Sequence, residues 1–254
     1  MNSKQISELR QVLLAVLNKN REIKNKDIAI KVDFFISSLY PAGSLYTSGE
    51  IKTWFKKIRK NSKMKTKLIP VKEMKGWLQD QKTGNIIHES GKFFSVIGIE
   101  TVSETREVKS WCQPIIKQPE IGILGILVKK INGVYHFLVQ AKEEPGNINK
   151  VQLSTTVMAT KSNYTRVHGG KAPLYLDYFL GGKNGKIIIK KLQSEEGARF
   201  YKKNNLNMVV EIASNCENKV PCEFKWVTLH QIKEMACFKN TVNAPLRSVI
   251  SCLP

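Results

Sequence analysis

Between residues 1 and 75 the apolar positions recur at helical spacing. Leu9, Val12, Leu13, Val16 and Leu17 fall on one face of a helix, with Ser7 as its expected N-cap. A loop over 40–49, with Pro41 and Gly43, closes this part. Thr47 then stands three residues before Glu50, the spacing at which two side chains cap each other's backbone N–H. Ile51, Trp54, Phe55 and Ile58 stripe the helix that follows. Its other face carries Lys52, Lys56, Lys57, Arg59 and Lys60, either a solvated surface over a buried stripe or a contact for phosphate.

From residue 76 the pattern changes to the alternation of strands. Segments 93–102, 121–129, 134–141, 186–192, 208–212 and 223–227 are β-rich and separated by Gly, Asn and Lys turns. Asn132-Gly133 predicts a tight hairpin between two of them. Helices are expected over 194–204 and over 228–238, the second with Leu229, Ile232, Met235 and Ala236 on one side. Strands in mixed order with few helices predict an α+β domain built on a mixed sheet, without regular βαβ alternation. The chain thus divides into a basic helical N-terminal extension (1–75) and a sheet-bearing module (76–254).

With 254 residues, 42% of them hydrophobic, the chain can bury a sizeable core, which excludes disorder as its main state. Its longest apolar run, 121–128, falls far short of the ~20 residues of a membrane helix. No secretory signal pattern opens the sequence, so a cytoplasmic protein without a membrane partner is expected. Five cysteines without a CxxC pair, and four histidines, argue against a zinc site or a disulfide framework. Free thiols, buried or half-buried, are expected instead. Net charge is +20, and residues 1–75 carry 17 basic against 6 acidic side chains. Such a balance suits nucleic acid, acidic lipid or a phosphorylated small molecule, and charge alone does not choose among them. Nucleic acid is the weakest of these, because the chain carries no recognisable binding motif.

Candidate chemistry concentrates in 111–170. A strand ending in Gln140-Ala-Lys142 and entering a Pro-Gly turn brings Gln140, Lys142, Glu144 and Asn147 to one sheet edge, and alternation places the first three on one face. A lysine beside a carboxylate is either an acid–base pair or a structural ion pair. Tyr164 and His168 follow, a phenol and an imidazole before Gly169-Gly170. No dinucleotide, P-loop, zincin or nucleophile-elbow motif is present.

At these residues the chain resembles the NDP-hexose 2,3-dehydratases of deoxysugar biosynthesis. The matching stretches are Gly76-Trp77, Thr83-Gly-Asn85, His88-Glu-Ser-Gly-Lys-Phe-Phe94, Trp111-Cys-Gln-Pro-Ile-Ile116 and Gln118-Pro-Glu-Ile-Gly-Ile-Leu-Gly125. They continue through Phe137-Leu-Val-Gln-Ala-Lys-Glu-Glu-Pro-Gly-Asn147, Thr160-Lys-Ser-Asn-Tyr164, Leu192-Gln-Ser-Glu195, Asn207-Met208, Trp226-Val-Thr-Leu229 and Val242-Asn243 with Arg247. The likeness runs from about Gly76 to the C-terminus. The sequence departs from the family pattern at Thr155, Met158, Asn204, Leu206, Ala244 and Pro245.

The resemblance implies a fold related to the Nudix hydrolases, a mixed sheet between helices, here as one module where relatives commonly carry two. Glu195-Glu196-Gly197 is only a fragment of a Nudix box. It implies a nucleotide-linked 4-keto-6-deoxyhexose substrate, dTDP-linked, and elimination of water across C2–C3 with no cofactor and no metal. A homodimer that replaces the missing module is expected. Glu144 and Tyr164 are the proton-transfer candidates, with Lys142 tuning them or holding the enolate oxygen, and His88 and His168 in reserve. Gln113, Gln118, Gln140, Asn147, Thr160, Asn163 and Asn207 suit the sugar and nucleotide. Trp111 either stacks on the base or belongs to the core. Arg199 and Arg247 suit the diphosphate, which a guanidinium binds bidentately. The competing reading is a non-catalytic module that holds a nucleotide sugar or nucleic acid.

Overall fold

The computed structural model describes residues 2–18, 25–39, 43–165, 169–215 and 219–254. Three helices come first: α1 (Ser3–Asn18), α2 (Asn25–Leu39) and α3 (Ser48–Asn61). In α3 the reciprocal cap is formed as its spacing requires, Glu50 N donating to Thr47 Oγ1 at 3.2 Å and Thr47 N to Glu50 Oε2 at 2.7 Å. In α1 the cap is Asn2 rather than Ser7, because Asn2 Oδ1 accepts from Gln5 N and Gln5 Oε1 from Asn2 N. The buried stripe shifts with it. Ile6 is buried and Leu9, Leu13 and Leu14 pack beside it, while Val12 and Val16 stand in solvent.

Two sheets follow. The smaller is an antiparallel meander of β1 (Trp77–Gln79), β2 (Ile86–His88), β3 (Ser95–Val102) and β4 (Ser110–Lys117). The larger holds β5 (Gly122–Ile131), β6 (Val134–Glu143), β7 (Val151–Ser154) and β8 (Val157–Ala159). After the short helices α4 (Lys161–Tyr164) and α5 (Asp177–Leu180), β9 (Lys186–Ser194), β10 (Asn204–Glu211) and β11 (Phe224–Thr228) complete it. The main path runs β11-β6-β5-β10-β9, with β7 on β6 and β8 on β5. Only β5 and β10 pair in parallel within this path, so the sheet is mixed and the class is α+β. The chain closes with α6 (Leu229–Ala236) and α7 (Ala244–Ser251).

β5 is central and reads as one apolar run because both of its faces are covered. Asn132 and Gly133 take φ of 52° and 81°, the left-handed pair that a two-residue β5–β6 hairpin demands. On one face of the sheet, Phe137, Val139 and Ala141 pack against Phe34 of α2, Ile51 and Phe55 of α3, Ile232 of α6 and Leu246 of α7. On the other, Leu138 joins Trp226, Met208 and Phe179. Asp33 of α2, nearly buried, is held at 2.6 Å by both Arg10 and Lys130, which ties the helical hairpin to β5. Among the described residues no helix is long and apolar enough to cross a membrane.

The expected helix over 194–204 does not form. β9 runs to Ser194, a turn follows, and Phe200 makes an isolated bridge to Ile116 before β10 starts at Asn204. The reason is tertiary: Ile116 of β4 donates to Arg199 O and accepts from Tyr201 N, and these backbone hydrogen bonds outweigh weak local helix propensity. Three of the described thiols are more exposed than expected. Cys112, Cys222 and Cys237 are exposed and Cys252 is half-buried, all free; Cys216 lies outside the described residues. Cys112 sits on the outward side of β4 and Cys237 at the end of α6, where no layer covers them.

Candidate functional site

At the far end of β6 the apolar core gives way to polar side chains. Gln140 pairs with Ser154 and Lys142 with Gln152 of β7. The end of β6, residues 140–143, together with Cys222, Glu223 and Lys57, Asn61 and Ser62 from the end of α3, lines a cleft of ≈ 730 Å³. That volume lies within the ~300–1,000 Å³ of small-molecule sites. Neither Gln140 nor Lys142 engages its side chain in a hydrogen bond or ion pair, and Ser62 Oγ is buried without a partner. Burial pulls the Lys142 ammonium below the usual lysine range, while the neighbouring Glu144 carboxylate works in the opposite direction. Polar groups without partners in a concave, partly dry place are groups that a ligand can satisfy.

β6 ends at Glu143, so Glu144 leaves the alternation and does not continue the Gln140–Lys142 face as a strand residue. It turns instead toward α7. Glu144 Oε2 accepts from Asn147 Nδ2 at 3.5 Å and from Asn243 Nδ2 at 3.4 Å. Asn243, present in the sequence reading only within a family match, joins this spot. Its amide also donates to Ser154 Oγ at 3.0 Å, and its Oδ1 accepts from Leu246 N at 3.0 Å as the N-cap of α7. The available signal was an Asn followed by Ala-Pro, a helix start with proline in the first turn. Met158 and Pro245, two departures from the family pattern, border this spot, Met158 Sδ accepting from Ser154 Oγ at 3.0 Å.

The remaining predicted residues fall into separate groups. Thr160 and Asn163 cap α4 reciprocally, with Ser162 donating to both oxygens of Glu120 at 2.8 Å. Tyr164, half-buried at the end of α4, packs toward Leu176 and Phe179. Gln118 lines a smaller concavity of ≈ 300 Å³ with Glu120, Lys161 and Ser162. Trp111 donates Nε1–H to Gln113 Oε1 at 2.8 Å, and Gln113 Nε2 donates to Ala198 O at 3.0 Å, at the outer edge of β4. Half-buried Trp111 meets the Arg106 guanidinium at 5.9 Å. His88 sits among Trp77 and Phe93 in the small sheet, its Nδ1 2.9 Å from Ser90 Oγ. His168 lies outside the described residues.

Asn207 is fully buried in β10, its Nδ2 donating to Ser248 O at 3.1 Å and Ser248 Oγ at 2.9 Å, and its Oδ1 without a partner. Arg199 is exposed beside Glu196 at 3.8 Å, in the turn that replaces the expected helix. Arg247 donates to Val242 O at 2.8 Å and borders a different concavity, formed by residues 236–242. No hydrogen bond or ion pair joins the two arginines.

Residues 48–253 match the family model described as NDP-hexose 2,3-dehydratase, a stretch that includes α3 and both sheets. The chain belongs to the NDP-hexose 2,3-dehydratase family. Over 223 residues it is 43% identical to a dTDP-4-dehydro-6-deoxy-alpha-D-glucopyranose 2,3-dehydratase of Saccharopolyspora spinosa, covering 87% of this chain and 45% of that protein. Proteins of the same name from Amycolatopsis orientalis and Streptomyces violaceoruber are each 42% identical, over 212 and 202 residues, covering 81% and 79% of this chain. The chain spans less than half the length of these curated relatives. Among solved structures, a chain from the complex between the C-terminal domain of mouse MUTYH and human PCNA gives a TM-score of 0.33. It is 10% identical, covering 53% of this chain and 87% of that one.

Proposed function

We propose that this chain is a dehydratase module acting on an NDP-4-keto-6-deoxyhexose, dTDP-linked as the names of its relatives suggest. In this reading the C4 ketone acidifies the C3 proton. A base removes that proton, donors hold the enolate oxygen, and an acid protonates the C2 hydroxyl as it leaves as water. The enol so formed becomes a 3,4-diketo sugar. The step balances without a redox partner, because the substrate's own ketone is the electron sink. A positioned acid or base contributes roughly 10²–10⁴-fold, and oriented donors around the enolate carry much of the rest.

The observation that carries this reading is the free, partly desolvated Lys142 beside Gln140 in the cleft at the end of β6. Lys142 and Glu144 are assigned the proton transfer; Tyr164, in a separate group at the end of α4, is given no part in this cleft. Gln140, Asn61 and Ser62 suit the sugar hydroxyls. Of the two arginines expected at the diphosphate, Arg247, four residues from Asn243, is retained. The mixed sheet enclosed by helices supports the Nudix relationship. The test is incubation with enzymatically made dTDP-4-keto-6-deoxyglucose, followed by mass analysis: loss of one water supports the reading, and binding without turnover replaces it with the non-catalytic one.

A homodimer is part of the same proposal. The exposed apolar side chains Val12, Val16, Phe35 and Leu39 on α1 and α2 support it. Light scattering should give twice 28.8 kDa at working concentration, and an active species at 28.8 kDa refutes it.

A further inference from the structure

α3 separates two concavities. Lys57, Asn61 and Ser62 face the cleft with Lys142, whereas Lys52, Lys56 and Arg59 face a second pocket of ≈ 220 Å³ against α6. The floor of this second pocket is apolar, made by Phe55 and Phe238, and Lys239 closes the cationic rim. The aromatic rings pre-position two of the cations. The Arg59 guanidinium lies 4.8 Å from the Phe55 centroid and Lys52 Nζ 5.1 Å from that of Phe238.

Only one of these four cations has a carboxylate. Lys52 pairs with Glu234, which leaves Lys56, Arg59 and Lys239 without an acidic partner among the described residues. Arg59 Nε is buried and has no hydrogen-bond partner; its Nη2 donates weakly to Asn240 O at 3.3 Å. Burial lowers the arginine's proton affinity, and no nearby acid offsets the effect. The C-terminal dipole of α3 favours cations in its last turn, but it gives the buried Nε no acceptor. An arginine withdrawn from water with an unused N–H costs stability unless an anion completes it.

From this arrangement we infer that the pocket between α3 and α6 binds a phosphoryl group. A phosphate offers three or more acceptor oxygens and up to two negative charges, which match the fork of Arg59 and the ammonium groups of Lys56 and Lys239. The size of the pocket suits a compact ligand. The source is either free phosphate and its small esters or the diphosphate of a nucleotide, since Arg247 borders the adjoining concavity that shares Phe238 and Lys239. The inference does not rest on the dehydratase reading, because the phosphate arm of its test involves no sugar.

The test is calorimetry on the full chain with inorganic phosphate in one arm and dTDP in the other, in chloride buffer at constant ionic strength. Saturable one-to-one phosphate binding is expected, weakened by roughly tenfold or more in Arg59→Gln, the range for a lost charged hydrogen bond. The exposed pair Lys56→Gln with Lys239→Gln should weaken it as well, and it carries the test if the arginine variant does not fold. Lys65→Gln, in the exposed linker after α3, should leave the affinity unchanged. Competition between dTDP and phosphate identifies the ligand as the nucleotide's diphosphate; binding of phosphate without competition identifies free phosphate or its esters. Absence of saturable phosphate binding, or equal losses in Lys65→Gln and Arg59→Gln, overturns the inference.

Discussion

Lys142→Met is expected to lower water elimination by roughly 10²–10⁴-fold, the contribution of a positioned proton-transfer group. The same substitution should leave the fold intact and raise its stability. Lys142 is half-buried, burial holds its pKa below the usual lysine value, and its ammonium has no hydrogen-bonded partner. The sign follows from the two protonation states. A lysine whose folded pKa is depressed binds fewer protons folded than unfolded, so its penalty is full below the folded pKa and fades as pH rises toward the unfolded one. Methionine fills a similar volume without that penalty. Lys142→Arg separates the two chemical roles, because a guanidinium keeps the charge and cannot act as a base near neutral pH. If Lys142 removes the C3 proton, arginine should be as inactive as methionine. If it only holds the enolate oxygen, arginine should recover part of the rate. Measured kcat and urea midpoints decide the matter, and near-normal turnover in Lys142→Met removes the residue from the mechanism.

The second large effect concerns acid sensitivity. His136 is fully buried in β6, its Nε2 accepting from Leu45 N at 3.0 Å and its Nδ1 donating to Val134 O at 3.0 Å. Burial, with a smaller contribution from the Lys129 charge opposite it, pushes its pKa down to about 4, while the backbone bond to Val134 works the other way. In the unfolded chain the same group titrates near ~6.5. Folding therefore excludes a proton between these values, and stability should rise with pH across that window and level off above it. At ~1.36 kcal/mol per pKa unit the difference approaches about 3 kcal/mol. Glutamine can keep one acceptor and one donor at this position without titrating. Urea unfolding of His136→Gln should accordingly show a flatter pH dependence between about pH 6.5 and pH 4 than the parent chain. Parallel curves for the two proteins would exclude His136 as the source.

Much of the frame is legible from local pattern. The α3 cap, the Asn132-Gly133 hairpin, the apolar run of β5 and the apolar side of α6 each depend on neighbours within a few residues. The misreadings share one cause. Residues 195–203 carry acceptable helix formers, but Ile116 of β4 supplies a pairing partner far away in sequence, and that pairing decided their conformation. In α1 periodicity alone admitted two registers, and contact of Ile6 with Ile28 and Val134 selected one.

The candidate site divides along the same line. Gln140 and Lys142 were identifiable because strand alternation is a local property that places them on one face. Glu144, one residue past the strand, took its direction from Asn243, ninety-nine positions away. Nothing within a few residues of either indicates that encounter. The pocket of Arg59 is of the same kind: the sequence lists its basic residues, yet only the packing of α3 on α6 shows which are compensated by Glu234 and which are not. By itself the sequence determined most of the element types outside 194–204, the two-residue turn and the family, since these are written in short spacings and long ordered matches. Tertiary structure alone decided the pairing of 195–203, the turn of Glu144 toward α7 and the desolvation of Lys142, His136 and Arg59. Burial and non-local contact are properties of the packed chain, and no local spacing encodes them.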